Sequence, residues 1–289
     1  MKEVSILGVK INVFTKKTLR QELGICFRGA RGCSFAKINS EFLLRASKKA
    51  DFAETLAKFD YGIADGIGVL WAAKFLSLPI VKNKALRVPQ AFYQGLFTAC
   101  SLVIYPKYVQ KPIPERIPGV DCLYLMLEAT VETESPVYLF GAEQEILDQT
   151  KENLEARYSQ LRIVGSHHGY GFVEKEIIDE INRLGPKLLV VALGSPRQEK
   201  WIRANLQSLP SVRVIVGEGG SFDFIAGAFK RAPRWLQRLG LEWLWRLFMN
   251  KSKTQTGSRF KRIWQAVPVF MWTVVKYKIK YGANKSEEQ

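Results

Sequence analysis

The amino-acid sequence predicts an α/β fold. Between residues 4 and 224, short apolar runs alternate with stretches in which apolar residues recur at helical spacing. This alternation is typical of parallel strands joined by crossover helices. The chain has 289 residues, which is enough for one large α/β domain with an appendage. The prediction is therefore a Rossmann-like, mostly parallel sheet flanked by helices, followed by a basic, amphipathic, helical appendage at the C-terminus.

The individual elements follow from the same apolar patterns. Strands are predicted at residues 34–38, 61–64, 137–140, 162–164, 188–193 and 212–216, and helices at 41–58, 143–158, 175–184 and 198–206. Ser40 is the expected N-cap of the first of these helices. In such a sheet, ligands bind beyond the carboxyl ends of the strands. The loops that follow the strands are therefore where functional residues are expected.

Charge and cysteine content narrow the class of protein. The formal net charge of +16 attracts phosphate groups, whether on nucleic acid, anionic lipid or a nucleotide diphosphate. Cys26, Cys33, Cys100 and Cys122 lack both zinc-site spacing and the density of a disulfide scaffold, so we expect reduced thiols. The N-terminus has no apolar core of a signal peptide, which predicts a cytoplasmic protein.

Two segments depart from the alternating pattern. Residues 82–114 contain an uncharged stretch at 91–105 flanked by lysines and an arginine. Fifteen residues are too few for a transmembrane helix, which needs about 20, so this stretch is either buried in the core or lies on a lipid surface. Both interpretations remain open at this point.

The second segment, residues 246–289, is predicted to be an appendage that associates with a membrane. Its apolar run at 263–275 lies between clusters of lysine and arginine. Trp264, Phe270 and Trp272 are expected to enter the headgroup layer. Lys276, Lys278 and Lys280 are expected to add attraction to anionic lipid.

Asp65 is the strongest candidate for chemistry in the strand-following loops. It ends a short apolar strand and precedes Gly66, so its carboxylate would project into the ligand crevice, where it suits a general base. An ordinary Asp-Gly turn is the alternative.

Two further loops have the composition of ligand-binding turns. Gly141 and Ala142 allow close approach of a phosphate at a helix start, although local evidence alone favours an ordinary turn. Gln198 lies in the first turn of a predicted helix after Gly194. Its amide could bind the edge of a sugar or of uracil, and capping of the helix is the alternative. His167 and His168 lack a third ligand at metal spacing, so no metal site is predicted.

Taken together, these loops resemble a known family, the WecG/TagA/CpsF glycosyltransferases of glycosyltransferase family 26. The similarity extends over nearly the whole chain. It rests on NSE at 39–41, ADGIGV at 64–69, RIPGVD at 116–121, LFGA at 139–142, GSHHGY at 165–170, ALGSPRQEKW at 192–201, VGEGGSFDF at 216–224, RAPRW at 231–235 and GLEWLWRL at 240–247.

The resemblance implies an activity and assigns roles to residues. It implies metal-independent, inverting transfer of N-acetylmannosamine or a related sugar from a UDP-sugar to a polyprenyl-diphosphate-linked sugar, for wall or surface polymers, with no cofactor. The implied catalytic residues are Asp65, as base, with Asn39, Arg259 and Arg262. The implied substrate-binding residues are Lys37, Gly66, Arg116, Gly141, Ala142, Gly194, Gln198, Glu199, Gly219, Asp223 and Arg246. Lys37 departs from the family, which usually has threonine there. The resemblance also implies that residues 82–114 are an insertion within a core of residues 1–245.

The predicted partners are the donor, the lipid-linked acceptor and an anionic membrane surface, with a homo-oligomer also possible and nucleic acid not expected. The implied location is the inner face of the plasma membrane. The alternative is a basic module that binds nucleic acid or anionic lipid without catalysis. That alternative leaves the loop motifs unexplained. An epimerase or dehydrogenase would need a dinucleotide fingerprint, and no G-x-G-x-x-G follows a predicted strand.

Overall fold

The protein is built on two sheets. The computed structural model describes residues 1–228, 232–233, 236, 245 and 265–282. A small antiparallel hairpin consists of β1 (Glu3–Ile6) and β2 (Val9–Asn12). The main sheet consists of β3 (Cys33–Ile38), β4 (Tyr61–Ala64), β5 (Val137–Gly141), β6 (Ile163–His167), β7 (Leu188–Ala192) and β8 (Val214–Gly217). All neighbouring strands of this sheet run parallel, in the order β4-β3-β8-β7-β5-β6.

The helices cover both faces of the main sheet, which explains why its central strands are apolar throughout. They are α1 (Lys16–Arg28), α2 (Ser40–Ala46), α3 (Ala50–Ala57), α4 (Ile67–Ser77), α5 (Lys84–Ile104), α6 (Pro106–Val109), α7 (Gly119–Glu132), α8 (Gln144–Arg157), α9 (Glu174–Leu184), α10 (Arg197–Asn205), α11 (Ser221–Ile225) and α12 (Phe270–Tyr281). One turn of π-helix, Gln265–Val269, precedes α12. The predicted Rossmann-like α/β fold is confirmed.

Three local features differ from the sequence-based expectations. The predicted helix at 41–58 is two helices, α2 and α3, because the polar run 47–49 has no apolar side chain to bury between them. The N-cap of α2 is Asn39, not Ser40, since Asn39 Oδ1 accepts the Phe42 N–H at 3.0 Å. The β1–β2 hairpin was not predicted. Its Asn12 side chain accepts the Gly62 N–H, which ties the hairpin to β4.

The expectation of four reduced thiols is wrong for one pair. Cys26, near the end of α1, and Cys33, at the start of β3, form a disulfide across a Cα–Cα distance of 6.0 Å. The chain reverses between the two elements and brings the residues together, although their sequence spacing does not reveal it. Cys100 and Cys122 are free, the first exposed and the second buried.

The C-terminal helix α12 packs against α2, α4 and α5. Phe270 and Val274 are buried in the same apolar cluster as Trp71 of α4. Lys278 is also fully buried, and its Nζ donates hydrogen bonds to Phe75 O and to Gln94 Oε1. The expectations that Phe270 enters lipid and that Lys278 attracts it are therefore wrong, because both side chains hold α12 to the core.

Burial lowers the pKa of Lys278 to about 7. The unfolded chain, with the ordinary lysine pKa of 10.5, therefore holds a proton that the folded chain releases as the pH rises through about 7. Between about pH 7 and pH 10.5, we expect the unfolding free energy to increase with pH by about 1 kcal/mol per pH unit, relative to Lys278→Met. Denaturant titrations of both proteins from pH 7 to 10 test this expectation. The exposed Lys276→Met is the control, and an equal pH slope in all three proteins would contradict it.

Candidate active site

The predicted site residues converge on the carboxyl edge of the main sheet. Because all six strands run parallel, the loops that follow them emerge at one edge. The loop after β4 is attached to β3 by a hydrogen bond from Asp65 N to Ile38 O, of 2.9 Å. The loops after β7 and β8 touch, since a Cβ on Gly219 would lie 3.1 Å from Gly194 Cα. The edge is therefore a continuous row of loops.

Asp65 is held in place by the segment that precedes α7. Its Oδ1 accepts the Gly119 N–H at 3.0 Å. Ile117 N donates to Ala64 O at 2.9 Å, so residues 116–119 lie alongside the end of β4. This contact brings the loop of Arg116 next to Asp65, although the two residues are separated by the whole of α4, α5 and α6. The Asp65 carboxylate is half-buried and has a defined orientation, as a general base requires.

A buried ion pair lies beside Asp65. Lys37 Nζ donates to Glu218 Oε1 at 3.2 Å, and both side chains are almost fully buried. Ser221 Oγ donates to the other Glu218 oxygen at 2.5 Å. Gly119 lies against this cluster, since a Cβ there would lie 3.1 Å from Glu218 Oε2 and 3.4 Å from Lys37 Nζ. Lys37 is thus a buried cation at the centre of the site.

The pKa values of Lys37 and Glu218 depend on burial and on the neighbouring charges. Burial alone would lower the pKa of Lys37, but the carboxylates of Asp65 and Glu218 outweigh it and raise that pKa above its ordinary value. Burial raises the pKa of Glu218 to about 7, in spite of the opposing effect of Lys37. Lys37 therefore remains charged at neutral pH, between the carboxylates of Asp65 and Glu218.

Gln198 occupies the middle of the edge, packed against the turns of β8. Its side chain is buried, and a Cβ on Gly217 or Gly219 would lie 2.6 or 2.8 Å from its amide atoms, so a side chain at either position would displace the Gln198 amide. Gln198 Nε2 donates to Glu199 Oε1 at 2.7 Å. Gln198 Oε1 has no hydrogen-bond partner within the described part of the chain. Burial raises the pKa of Glu199. The orphaned oxygen suits a ligand that donates a hydrogen bond.

Gly141 and Ala142 form a strained turn after β5. Both have positive φ, +123° and +63°, and a Cβ on Gly141 would lie 2.4 Å from the carbonyl carbon of Ala192. The Ala142 N–H donates to Ala192 O at 3.0 Å, so any phosphate-binding N–H groups here would be those at the start of α8. The glycine is required because β5 and β7 approach closely here.

The remaining predicted residues fall into two groups. Gly66, Gly194, Gly219 and Asp223 lie in the turns after β4, β7 and β8, and in α11, on the same edge. Asp65, after the edge strand β4, and Gly141, at the end of β5, are about 19 Å apart for four strand spacings. Arg246, Arg259 and Arg262 lie outside the described residues.

Among the residues that the structure does describe, no cluster of three His, Cys, Asp or Glu side chains could hold a metal ion.

Comparison with known proteins identifies the family. The sequence model of the glycosyl transferase WecG/TagA/CpsF family matches residues 4–91 and 96–284. This chain belongs to that family. It is a glycosyltransferase, and the predicted resemblance is confirmed.

Two relatives of the WecG/TagA/CpsF family share the name N-acetylglucosaminyldiphosphoundecaprenol N-acetyl-beta-D-mannosaminyltransferase. The protein of Bacillus subtilis (strain 168) is 28% identical over 245 residues, covering 85% of this chain and 80% of its own length. The protein of Staphylococcus aureus (strain MW2) is 26% identical over 286 residues, covering 98% and 96% of the two chains. The similarity therefore extends over whole proteins.

Three residues of this WecG/TagA/CpsF member were not predicted to belong to the site. Glu218 and Ser221 complete the cluster around Lys37, and Arg45 of α2 donates to Ser195 Oγ at 3.1 Å. Glu218 had a signal in the sequence, because a lysine within a buried strand needs a counter-charge and Glu218 follows the neighbouring strand. Arg45 had none, since only the tertiary structure brings α2 next to the loop after β7.

Proposed function

We propose that this protein transfers N-acetylmannosamine or a related sugar from a UDP-sugar to a polyprenyl-diphosphate-linked sugar, with inversion and without a metal ion. The observation that carries the proposal is Asp65, a carboxylate oriented by Gly119 N–H beside a buried cation at the edge where ligands of such sheets bind. The sugar and the acceptor are taken from the names of the two relatives. The alignments with this chain cover 80% and 96% of the lengths of those relatives.

In this proposal Asp65 takes the proton from the acceptor hydroxyl as that oxygen attacks the anomeric carbon of the donor. The bond between the anomeric carbon and the diphosphate breaks, and UDP leaves from the opposite face. General-base catalysis contributes about 10² to 10⁴ in rate. One displacement on one face inverts the configuration at the anomeric carbon.

The negative charge that develops on the departing UDP needs a positive partner. Lys37 supplies a buried ammonium, charged at neutral pH, on the described part of the edge. Arg116 lies in the adjacent loop, and Arg246, Arg259 and Arg262 are proposed to close over the diphosphate from the C-terminal segment. Gln198 Oε1 is proposed to accept a hydrogen bond from the sugar or the uracil, and Asn39 to line the acceptor site.

The acceptor of such a reaction is anchored in a membrane. We therefore propose that the protein acts from the cytoplasm as a peripheral protein on the inner face of the plasma membrane. The division into a core of residues 1–245 and an appendage of residues 246–289 stays part of this proposal.

The proposal is tested by incubating the enzyme with a panel of UDP-sugars and a polyprenyl-diphosphate-linked N-acetylglucosamine, with and without EDTA, and identifying products by mass. We expect one product heavier by an N-acetylhexosamine, with the β configuration in its proton spectrum, at the same rate in EDTA. Absence of any product with the whole panel would contradict the proposed reaction. A strict requirement for Mg²⁺ or Mn²⁺ would contradict metal independence alone.

A further inference from the structure

One face of α5 is apolar and exposed over the whole length of the helix. Its opposite face, with Ala91 and Gly95, packs against the core. The exposed face carries Leu86, Val88, Phe92, Tyr93, Leu96, Phe97, Val103 and Ile104, whose exposed fractions range from 42% for Val88 to 82% for Ile104. A helix of 21 residues makes this strip about 31 Å long. The sequence left open whether this segment is buried in the core or lies on a lipid surface. Burial applies to one face of α5, and the opposite face is exposed.

α12 extends the apolar face of α5. Trp272 is 47% exposed, and its ring contacts Phe92 at a centroid distance of 5.8 Å. The two helices are held together beneath the surface by Lys278 and at one end by Arg87, whose guanidinium donates to Ile279 O. We call this surface, the exposed faces of α5 and α12, the α5–α12 face. Because both helices are fixed to the core, the face is preformed.

The charges around the α5–α12 face have one sign. Residues 66–114 and 265–282, which include α4, α5, α6 and α12, contain no Asp or Glu. Exposed lysines border the apolar strip at its start, at its end and along α12, namely Lys82, Lys84, Lys107, Lys111, Lys276 and Lys280. Tyr93, Tyr105 and Trp272 add aromatic side chains of the kind enriched at membrane–water interfaces. Lysines around an apolar, aromatic strip are the pattern of a helix that lies in an anionic lipid interface.

The C-terminal end of α5 adjoins the active site. A small cavity of about 40 Å³ is lined by Ile67, Leu70, Leu102, Pro106, Val109, Gln110 and Arg116. Ile67 is the first residue of α4, two positions after Asp65, and Leu102 belongs to α5. A surface on which α5 lies would therefore be next to the loops of Asp65 and Arg116.

We propose that the α5–α12 face docks on the surface of a bilayer that contains anionic lipid, with α5 parallel to the membrane plane. Docking places the active-site edge beside the headgroup layer, where the diphosphate of a lipid-linked acceptor lies. This last consequence rests on the proposed function, whereas the lipid contact does not. None of the described helices is long and apolar enough to cross a membrane.

A second copy of the chain is the main competing occupant. Both ends of the apolar strip are bordered by lysines, so two α5 helices that pair in either direction place lysines against lysines. Like charges in contact oppose association, and the formal net charge of +16 on each chain adds to the repulsion. An anionic bilayer has the complementary charge.

The exposed Cys100 on α5 allows a direct test with the full chain. Cys122 is buried and Cys26 is paired with Cys33, so a thiol-reactive environment-sensitive fluorophore should label Cys100 selectively. Cys100 is on the apolar face, four residues from Leu96 and from Ile104. On addition of phosphatidylglycerol–phosphatidylcholine vesicles, we expect a blue shift and quenching by lipids with spin-labelled acyl chains. The same label at Val173→Cys in a Cys100→Ser background, at an exposed apolar position before α9, is the control and should not respond.

Two variants separate the apolar from the electrostatic part of the contact. Leu96→Glu should lower the vesicle partition constant about tenfold, since a buried leucine contributes that much or more. Lys84→Glu with Lys107→Glu should remove the preference for phosphatidylglycerol over pure phosphatidylcholine vesicles. The exposed Ile25→Glu on α1 is the matched control and should bind like the wild type.

The outcomes discriminate between the two proposals. Leu96→Glu should lose turnover on a vesicle-borne long-chain acceptor but keep it on a short-chain, soluble acceptor. Vesicle binding without any transferase activity would contradict the proposed function and leave the docking surface intact. Unchanged vesicle binding of Leu96→Glu, or a wild-type dimer that this variant dissociates in the absence of lipid, would overturn the docking proposal.

Discussion

Asp65→Asn should lower the turnover number about 10²- to 10⁴-fold while leaving the fold and the affinity for UDP unchanged. The substitution is chosen because the structure uses Asp65 Oδ1 as an acceptor from Gly119 N, and an asparagine amide oxygen can accept the same hydrogen bond. The substitution removes the capacity to take a proton, together with the negative charge that Asp65 places near Lys37. Turnover should be measured at saturating donor and acceptor, and UDP affinity by calorimetry.

The controls for Asp65→Asn distinguish a base from a structural residue. Asp51→Asn, on the exposed surface, should have near wild-type turnover. Asp65→Ala loses the hydrogen bond to Gly119 as well, so it should also lower the melting temperature, unlike Asp65→Asn. If Asp65→Asn retained near wild-type turnover, Asp65 would be only the anchor of the 116–119 loop, and the base would have to be sought elsewhere on the edge.

Lys37→Thr, which introduces the residue that the resemblance implies at this position, should destabilise the fold by about 3–5 kcal/mol. The reason is that it leaves Glu218 buried without its counter-ion. Glu218→Gln in the same chain removes the second charge and should restore part of the loss. Denaturant titrations of the two single variants and the double variant form a double-mutant cycle, in which the two costs should not add.

The cost of Lys37→Thr should depend on pH in a defined direction. Burial already raises the pKa of Glu218 to about 7, and without Lys37 it would rise further. The folded variant then binds a proton more tightly than the unfolded chain, whose glutamate has a pKa of 4.5. The contribution of Glu218 to the unfolding free energy of Lys37→Thr should therefore be most favourable below pH 4.5. It should fall as the pH rises from 4.5 through 7. If the losses of unfolding free energy in Lys37→Thr and Glu218→Gln were additive and independent of pH, Lys37 and Glu218 would not be energetically coupled.

The amino-acid sequence by itself determined the class of fold and indicated the edge of the sheet on which the candidate site residues lie. The alternation of apolar strands with amphipathic helices is a local pattern, so all six strands of the parallel sheet were predicted, most within two residues of their ends. The rule that ligands bind at the carboxyl ends of parallel strands then placed Asp65, Gly194 and Gln198 on one edge without any contact being known. Local pattern and topology were sufficient because neither depends on long-range side-chain contacts.

Only the tertiary structure decided which side chains meet. The pairing of Lys37 with Glu218 spans 181 residues, and that of Lys278 with Gln94 spans 184, so no local pattern reports either. The same limit explains the errors on Phe270 and Lys278, whose apolar and basic character fits a lipid surface as well as a buried anchor. For α5, the sequence showed an apolar helix with basic flanks. Packing against α4 and α12 decided which face is buried and left the other exposed, because burial depends on neighbours that the helix itself does not specify.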